Sequence, residues 1–148
     1  MKRLALFAVA AVLLAGCGGS GRMSKPTYGQ ELRSEGKFVQ KAVTNLTKAT
    51  PSNLRDFATL IDDTEVVMKK AADDLSSIKP PADAVADNAA IVTAFRRIQS
   101  GLEQVKANPT AAQKILTAIE KSPQIKAADK ATADLKQKGY KVGVIGAP

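Results

Sequence analysis

The sequence predicts an all-α protein: an up-and-down bundle of four to five helices following a cleaved signal peptide. Three observations predict it. Beyond Pro26, apolar residues recur at steps of three and four, the spacing that lines one face of a helix. Prolines and a late glycine interrupt these runs, leaving connections of about three to six residues that favour antiparallel neighbours. The composition, 4% aromatic with no histidine or tryptophan, leaves Leu, Ile, Val and Ala to build the core. At 148 residues the chain is long enough for one domain with one continuous core, and no internal repeat stands out.

The first element is not part of that core. Lys2 and Arg3 precede an apolar run from Leu4 to Ala15, and small residues then lead to Cys17, which is the order of a secretory signal. The run is shorter than the roughly 20 residues a membrane-spanning helix needs. Leu14, Ala15, Gly16 and Cys17 match all four positions of the lipobox, so the N-terminus resembles that of bacterial lipoproteins. The resemblance implies a diacylglyceryl group on the Cys17 thiol, cleavage before Cys17 and acylation of the freed amine. It makes Cys17 the lipid attachment site and membrane lipid the partner. Two or three acyl chains hold stably where one binds marginally. The expected domains are therefore a signal peptide over 1–16, a flexible tether over 17–26 and a helical domain over 27–148. Gly18 is not the aspartate that resembles an inner-membrane retention signal, so in a cell with two membranes the outer one is expected; otherwise the outer face of the single membrane is.

The tether, "GGSGRMSKP", is rich in Gly and Ser and lacks periodicity. Nine such residues reach at most about 30 Å. The first helix carries Leu32, Val39, Ala42, Val43 and Leu46 on one face, weakened by Gly36 at a cost of about 1 kcal/mol relative to alanine. Pro51 after Thr50 starts the second, where Leu54, Phe57, Ile61, Thr64, Met68, Ala71, Leu75 and Ile78 alternate steps of four and three, the pattern of a helix packed on another helix. Pro80 and Pro81 end it, and Asp83 offers a carboxylate to the next first turn. The third helix is expected to bury Val85, Ala89, Val92, Phe95, Ile98, Leu102 and Val105. A fourth begins near Thr110 with Ala112, Ile115, Leu116 and Ile119 inward, and breaks at Pro123. A fifth follows with Ile125, Ala128, Thr132 and Leu135, closed by a left-handed Gly139 with Tyr140 folded back. The stretch "SIKPPADAVADNAAIV" resembles small helical lipoproteins whose helices are joined through a double proline.

Composition removes most chemistry. A disulfide needs a second cysteine, a catalytic thiol usually needs a histidine base, and neither stands in the chain. Without histidine, and with Cys17 lipidated, zinc or iron ligation by those residues is excluded. Asp62, Asp63 and Glu65, with Asp73 and Asp74 further on, are the densest carboxylates, but a helix fans them apart where a calcium loop would converge them. No Ser-x-x-Lys or Gly-x-Ser-x-Gly is present. No cofactor, metal or catalytic residue is expected, and the protein reads as a non-enzyme.

A net charge of +8 favours anionic neighbours. Few aromatics are placed for base stacking, Tyr28 and Tyr140 standing far apart in sequence, and export removes most nucleic acid, so no nucleic-acid partner is expected. Anionic headgroups or an envelope polymer remain. Arg33, Lys37 and Lys41 share one helix face, as do Lys126 and Lys130, and with Lys138 they form a single basic face if the first and last helices are adjacent. The opposite reading is a solvated surface serving solubility. The functional expectation is a lipid-anchored extracytoplasmic bundle with a binding or structural role in the envelope; the alternative is a carrier holding an amphiphile or small apolar ligand between its helices.

Overall fold

A computed structural model describes residues 21–48 and 54–143, and Cys17 with the signal segment lies outside them. Among the described residues there are five α-helices and no strand. They are α1 (Lys25–Lys48), α2 (Leu54–Ser77), α3 (Val85–Ala107), α4 (Ala112–Glu120) and α5 (Pro123–Gln137). Single 3-10 turns, Ala82–Ala84 and Pro109–Ala111, lead into α3 and α4.

Local chemistry sets the boundaries. The Ser24 hydroxyl accepts a hydrogen bond from the Thr27 amide at 3.4 Å, capping α1, and Pro26 sits in the first turn where its missing N–H costs nothing. At the end of α2 the hydroxyls of Ser76 and Ser77 donate to the carbonyls of Asp73 and Asp74, and Pro80 and Pro81 then turn the chain. Pro123 opens α5 after a two-residue break, as its position predicts. Gly139, at φ +83°, donates to Lys136 O (3.0 Å) while the Tyr140 amide donates to Leu135 O (3.0 Å). That pair of bonds is a Schellman cap, and it folds Tyr140 back against the bundle.

α3 is the central helix, packed against α2, α4 and α5, while α1 lies on α2. Met68, Leu75, Ile91, Phe95, Leu102 and Leu135 are buried where these helices meet, with Tyr28 and Leu32 of α1. Each such side chain contributes about 1.5 to 3 kcal/mol through burial. The α2 pattern predicted the face that Ile61, Thr64, Met68, Ala71 and Leu75 bury, with Phe57 partly covered.

Three expectations need correction. The start of α3 is turned from its predicted register: Val85 and Ala89 are exposed, and Ala84, Asn88 and Ile91 face inward. Asn88 is the reason, because its amide donates to Leu75 O (2.9 Å) and its carbonyl accepts from the Tyr28 hydroxyl (3.0 Å), making a polar residue a core residue. Asp83 bonds no first-turn amide of α3 through its side chain; it reaches Lys25 and Tyr140 instead. The C-terminal part of the expected tether, moreover, is bonded to the bundle. The Met23 amide donates to Lys79 O (2.8 Å) and the Arg22 guanidinium to Pro80 O (3.0 Å), fastening the chain to the α2–α3 corner before α1 begins.

Candidate functional site

Polar chemistry concentrates at one end of the bundle, where α1 and α3 begin and α2 and α5 finish. Tyr28 of α1 and Tyr140 beyond α5, remote in sequence, meet edge to face with ring centroids 5.7 Å apart at an interplanar angle of 88°. Such a pair adds about 0.5 to 1.5 kcal/mol beyond its buried area. Lys25 lies 5.1 Å over the Tyr140 ring and pairs with Asp83 at 2.8 Å. The Tyr140 hydroxyl donates to the other oxygen of Asp83 at 2.6 Å. Lys138 completes the cluster, donating to Asp87 Oδ2 (2.6 Å) and Asp83 O (2.7 Å).

The electrostatics follow from these contacts. The hydrogen bond from Lys25, with a second from Tyr140, holds the Asp83 carboxyl below its ordinary range. Burial pushes the Tyr28 phenol well up, and the charge of Asp87 adds to it. Burial and then the bond to Asp83 raise Tyr140 likewise. Both phenols therefore stay protonated at neutral pH, so neither serves as a base or an anionic nucleophile. The arrangement is a staple: it ties the beginning of α1, the α2–α3 corner and the end of α5 together.

Beside the staple runs a groove of about 310 Å³, lined by Lys25, Gly29, Arg33, Gly139 and Lys141 among others, with no carboxylate in its wall among the described residues. Arg33 donates to Lys141 O, which fixes the segment after α5 along α1. A Cβ on Gly29 would stand 3.5 Å from Lys141 O, so this segment approaches α1 closely.

The single basic face expected of Arg33, Lys37, Lys41, Lys126, Lys130 and Lys138 is not assembled. α1 packs on α2 and α5 on α3, and the two outer helices share no packed face. Lys130 is bridged to Asp134 (2.7 Å) and Lys138 to Asp87. Lys37 and Lys41 are exposed along α1, away from the groove. What sequence reasoning missed is the contribution of Lys25 and Lys141, which only the meeting of α1 with the chain beyond α5 brings beside Arg33. The signal available was Gly139: a left-handed cap reverses the chain, and so returns Tyr140 and Lys141 to the bundle.

Four of the five carboxylates singled out on α2 are engaged in ion pairs. Lys106 of α3 bridges Asp62 (2.6 Å) and Glu65 (3.1 Å), Lys69 pairs with Asp73 (2.6 Å), and Lys70 with Asp74. Among the described residues no group of three or more His, Cys, Asp or Glu is placed to hold a metal ion, and no helix is long and apolar enough to cross a membrane. No family model matches the chain, and no significantly similar curated protein or solved structure was found.

Proposed function

We infer that this is a lipid-anchored extracytoplasmic module, a helical bundle held at the membrane through Cys17 and acting in the cell envelope by binding or as a structural element. The observation that carries the reading is the complete Leu14-Ala15-Gly16-Cys17 sequence after a short apolar run with two basic residues at its head. Among the described residues the buried core runs from Tyr28 to Tyr140, which supports a bundle that lies beyond the leader. The polar clusters at the start of α1 and along α2 are paired for packing and solubility, which supports a non-enzymatic role. Membrane lipid is the covalent partner, and anionic headgroups or an envelope polymer are the favoured non-covalent ones. No specific observation favours the amphiphile carrier.

The test is direct. Cells expressing the protein and fed a labelled fatty acid should yield a labelled product whose mass corresponds to residues 17–148 plus acyl chains. Cys17→Ser should abolish label and leave the precursor unprocessed; labelling that persists in this variant overturns the reading.

A further inference from the structure

We propose that the groove between the first turns of α1 and the segment after α5 is a docking site for the phosphate headgroups of an anionic membrane, seating the bundle on the bilayer by its tethered end. The proposal rests on the lipid-anchor reading and adds a surface and a ligand to it.

Two observations choose the occupant. The first is charge. Lys25, Arg33 and Lys141 line the groove, and among the described residues no carboxylate stands in its wall. Asp83 is held by Lys25 and Tyr140, and Asp87 by Lys138. The guanidinium of Arg33 meets only a backbone carbonyl at Lys141, so its charge is not neutralised by that bond. Arg33 and Lys141, neither in an ion pair among the described residues, stand beside the Lys25–Asp83 pair on a concave wall with two glycines, Gly29 and Gly139, and give a phosphodiester both charge and close approach. Lys79 and Arg22 add positive charge at the same end, where Arg22 and Met23 are fastened to the α2–α3 corner.

The second is the length of chain outside the described residues. Gly18, Gly19 and Ser20 alone separate Cys17 from Gly21. From Cys17 to Gly21 the chain reaches at most about 14 Å. A lipid on Cys17 therefore brings this end, rather than the α4 end, to within a headgroup layer's reach. Cations this close to an anionic surface each contribute about 1 kcal/mol, and their effect fades within a Debye length of about 8 Å at physiological salt.

The experiment uses the chain from residue 17 with Cys17→Ser, which keeps every core residue among the described residues and carries neither leader nor lipid. Co-sedimentation with neutral phosphatidylcholine vesicles and with vesicles containing phosphatidylglycerol is measured at low and at physiological salt. Binding to the anionic vesicles alone, weakened by salt, is expected. Arg33→Gln with Lys141→Gln should weaken it about 10- to 30-fold, as two charges lost from the surface imply. Lys114→Gln with Lys126→Gln removes the same net charge from α4 and α5 and should change it less than about threefold. Circular dichroism confirms that both variants are folded. Equal losses in the two variants reduce the effect to net charge and overturn the proposal, as does equal binding to neutral vesicles or none at low salt. Millimolar glycerol phosphate abolishing vesicle binding would make the groove a site for a soluble phosphate, and binding that arises only after removal of residues 144–148 would make the chain's own C-terminus the occupant; either overturns it. The Cys17 labelling experiment is read in cells, independently of vesicle binding, so the anchor and the docking surface fail separately.

Discussion

Gly101, in the middle of α3, offers the sharpest test of the packing. Helix propensity says that Gly101→Ala should stabilise α3 by about 1 kcal/mol. The structure says the reverse. Gly101 is buried against α4, and a Cβ there would overlap the side chain of Ile119, meeting Cγ1 at 2.5 Å and Cδ1 closer still. Carbon atoms pack at about 3.5 to 4.0 Å, so Ile119 must retreat by about 1 Å or more. Ile119 is the one buried residue of α4, 6% exposed, and it has little room to turn. Overpacking of this kind costs about 1 to 3 kcal/mol, and exposing part of Ile119 adds to that. Set against the propensity gain, the net expectation is a loss of about 1 to 2 kcal/mol, or about 3 to 10 °C in melting temperature for a domain of this size. Urea unfolding followed by circular dichroism measures it. In a double-mutant cycle Ile119→Ala, itself destabilising, should absorb the new methyl, making the double variant more stable than the sum of the single losses by about 1 kcal/mol or more. A Gly101→Ala variant as stable as the parent, with no coupling to Ile119, would refute the close approach of α3 and α4.

Two further outcomes follow from groups inside the bundle. Tyr28→Phe removes the hydroxyl that Asn88 accepts from and strands a buried carbonyl oxygen; a loss of about 1 to 3 kcal/mol in urea unfolding is expected, much of it absent when Asn88 is already alanine. Glu35 is buried on α1, its carboxyl pushed up by burial and then by Asp74, with Lys70 opposing and Glu31 adding. A carboxyl whose folded pKa lies above its unfolded one favours the fold while protonated, and that benefit is lost as pH rises through the range just above the ordinary glutamate value. Glu35→Gln should therefore raise the urea midpoint at pH 7 and leave it nearly unchanged at pH 4; an equal shift at both would locate the effect elsewhere.

The helical fold was legible because its signals are local. The steps of four and three in α2, the proline pairs and breaks, and the Gly139 cap each act within a turn or two of themselves, and each is where the sequence places it. The register of α3 was not legible because apolar counting has no place for a buried asparagine. Asn88 belongs to the core only by virtue of Tyr28, which lies 60 residues away. Gly101 likewise takes its meaning from a distant partner: it is a contact surface because Ile119 of α4 lies beside it. The spacing of the lysines was plain, but whether two basic helices add depends on which helices are neighbours. Here α2 and α3 stand between α1 and α5 in the packing order, and the positive groove arises instead where the chain turns back past Gly139.

The bonds from Arg22 and Met23 to the α2–α3 corner set the bundle's polarity in space. A cord that ended at Pro26 would let the domain swivel, because α1 alone would carry the pull. Fastened at Lys79 and Pro80, the chain transmits it to α1, α2 and α3 together. A molecule held by its N-terminus then stands like a post with a fixed foot. The 23 residues of α3 rise about 34 Å from that foot, and α4 follows at the far end, where α1 finishes and α2 begins. Val43, Leu46, Phe57, Ile115 and Leu116 are only partly covered near that tip. Anything arriving from the side opposite the N-terminal end meets these partly covered apolar side chains first, and the charged foot last.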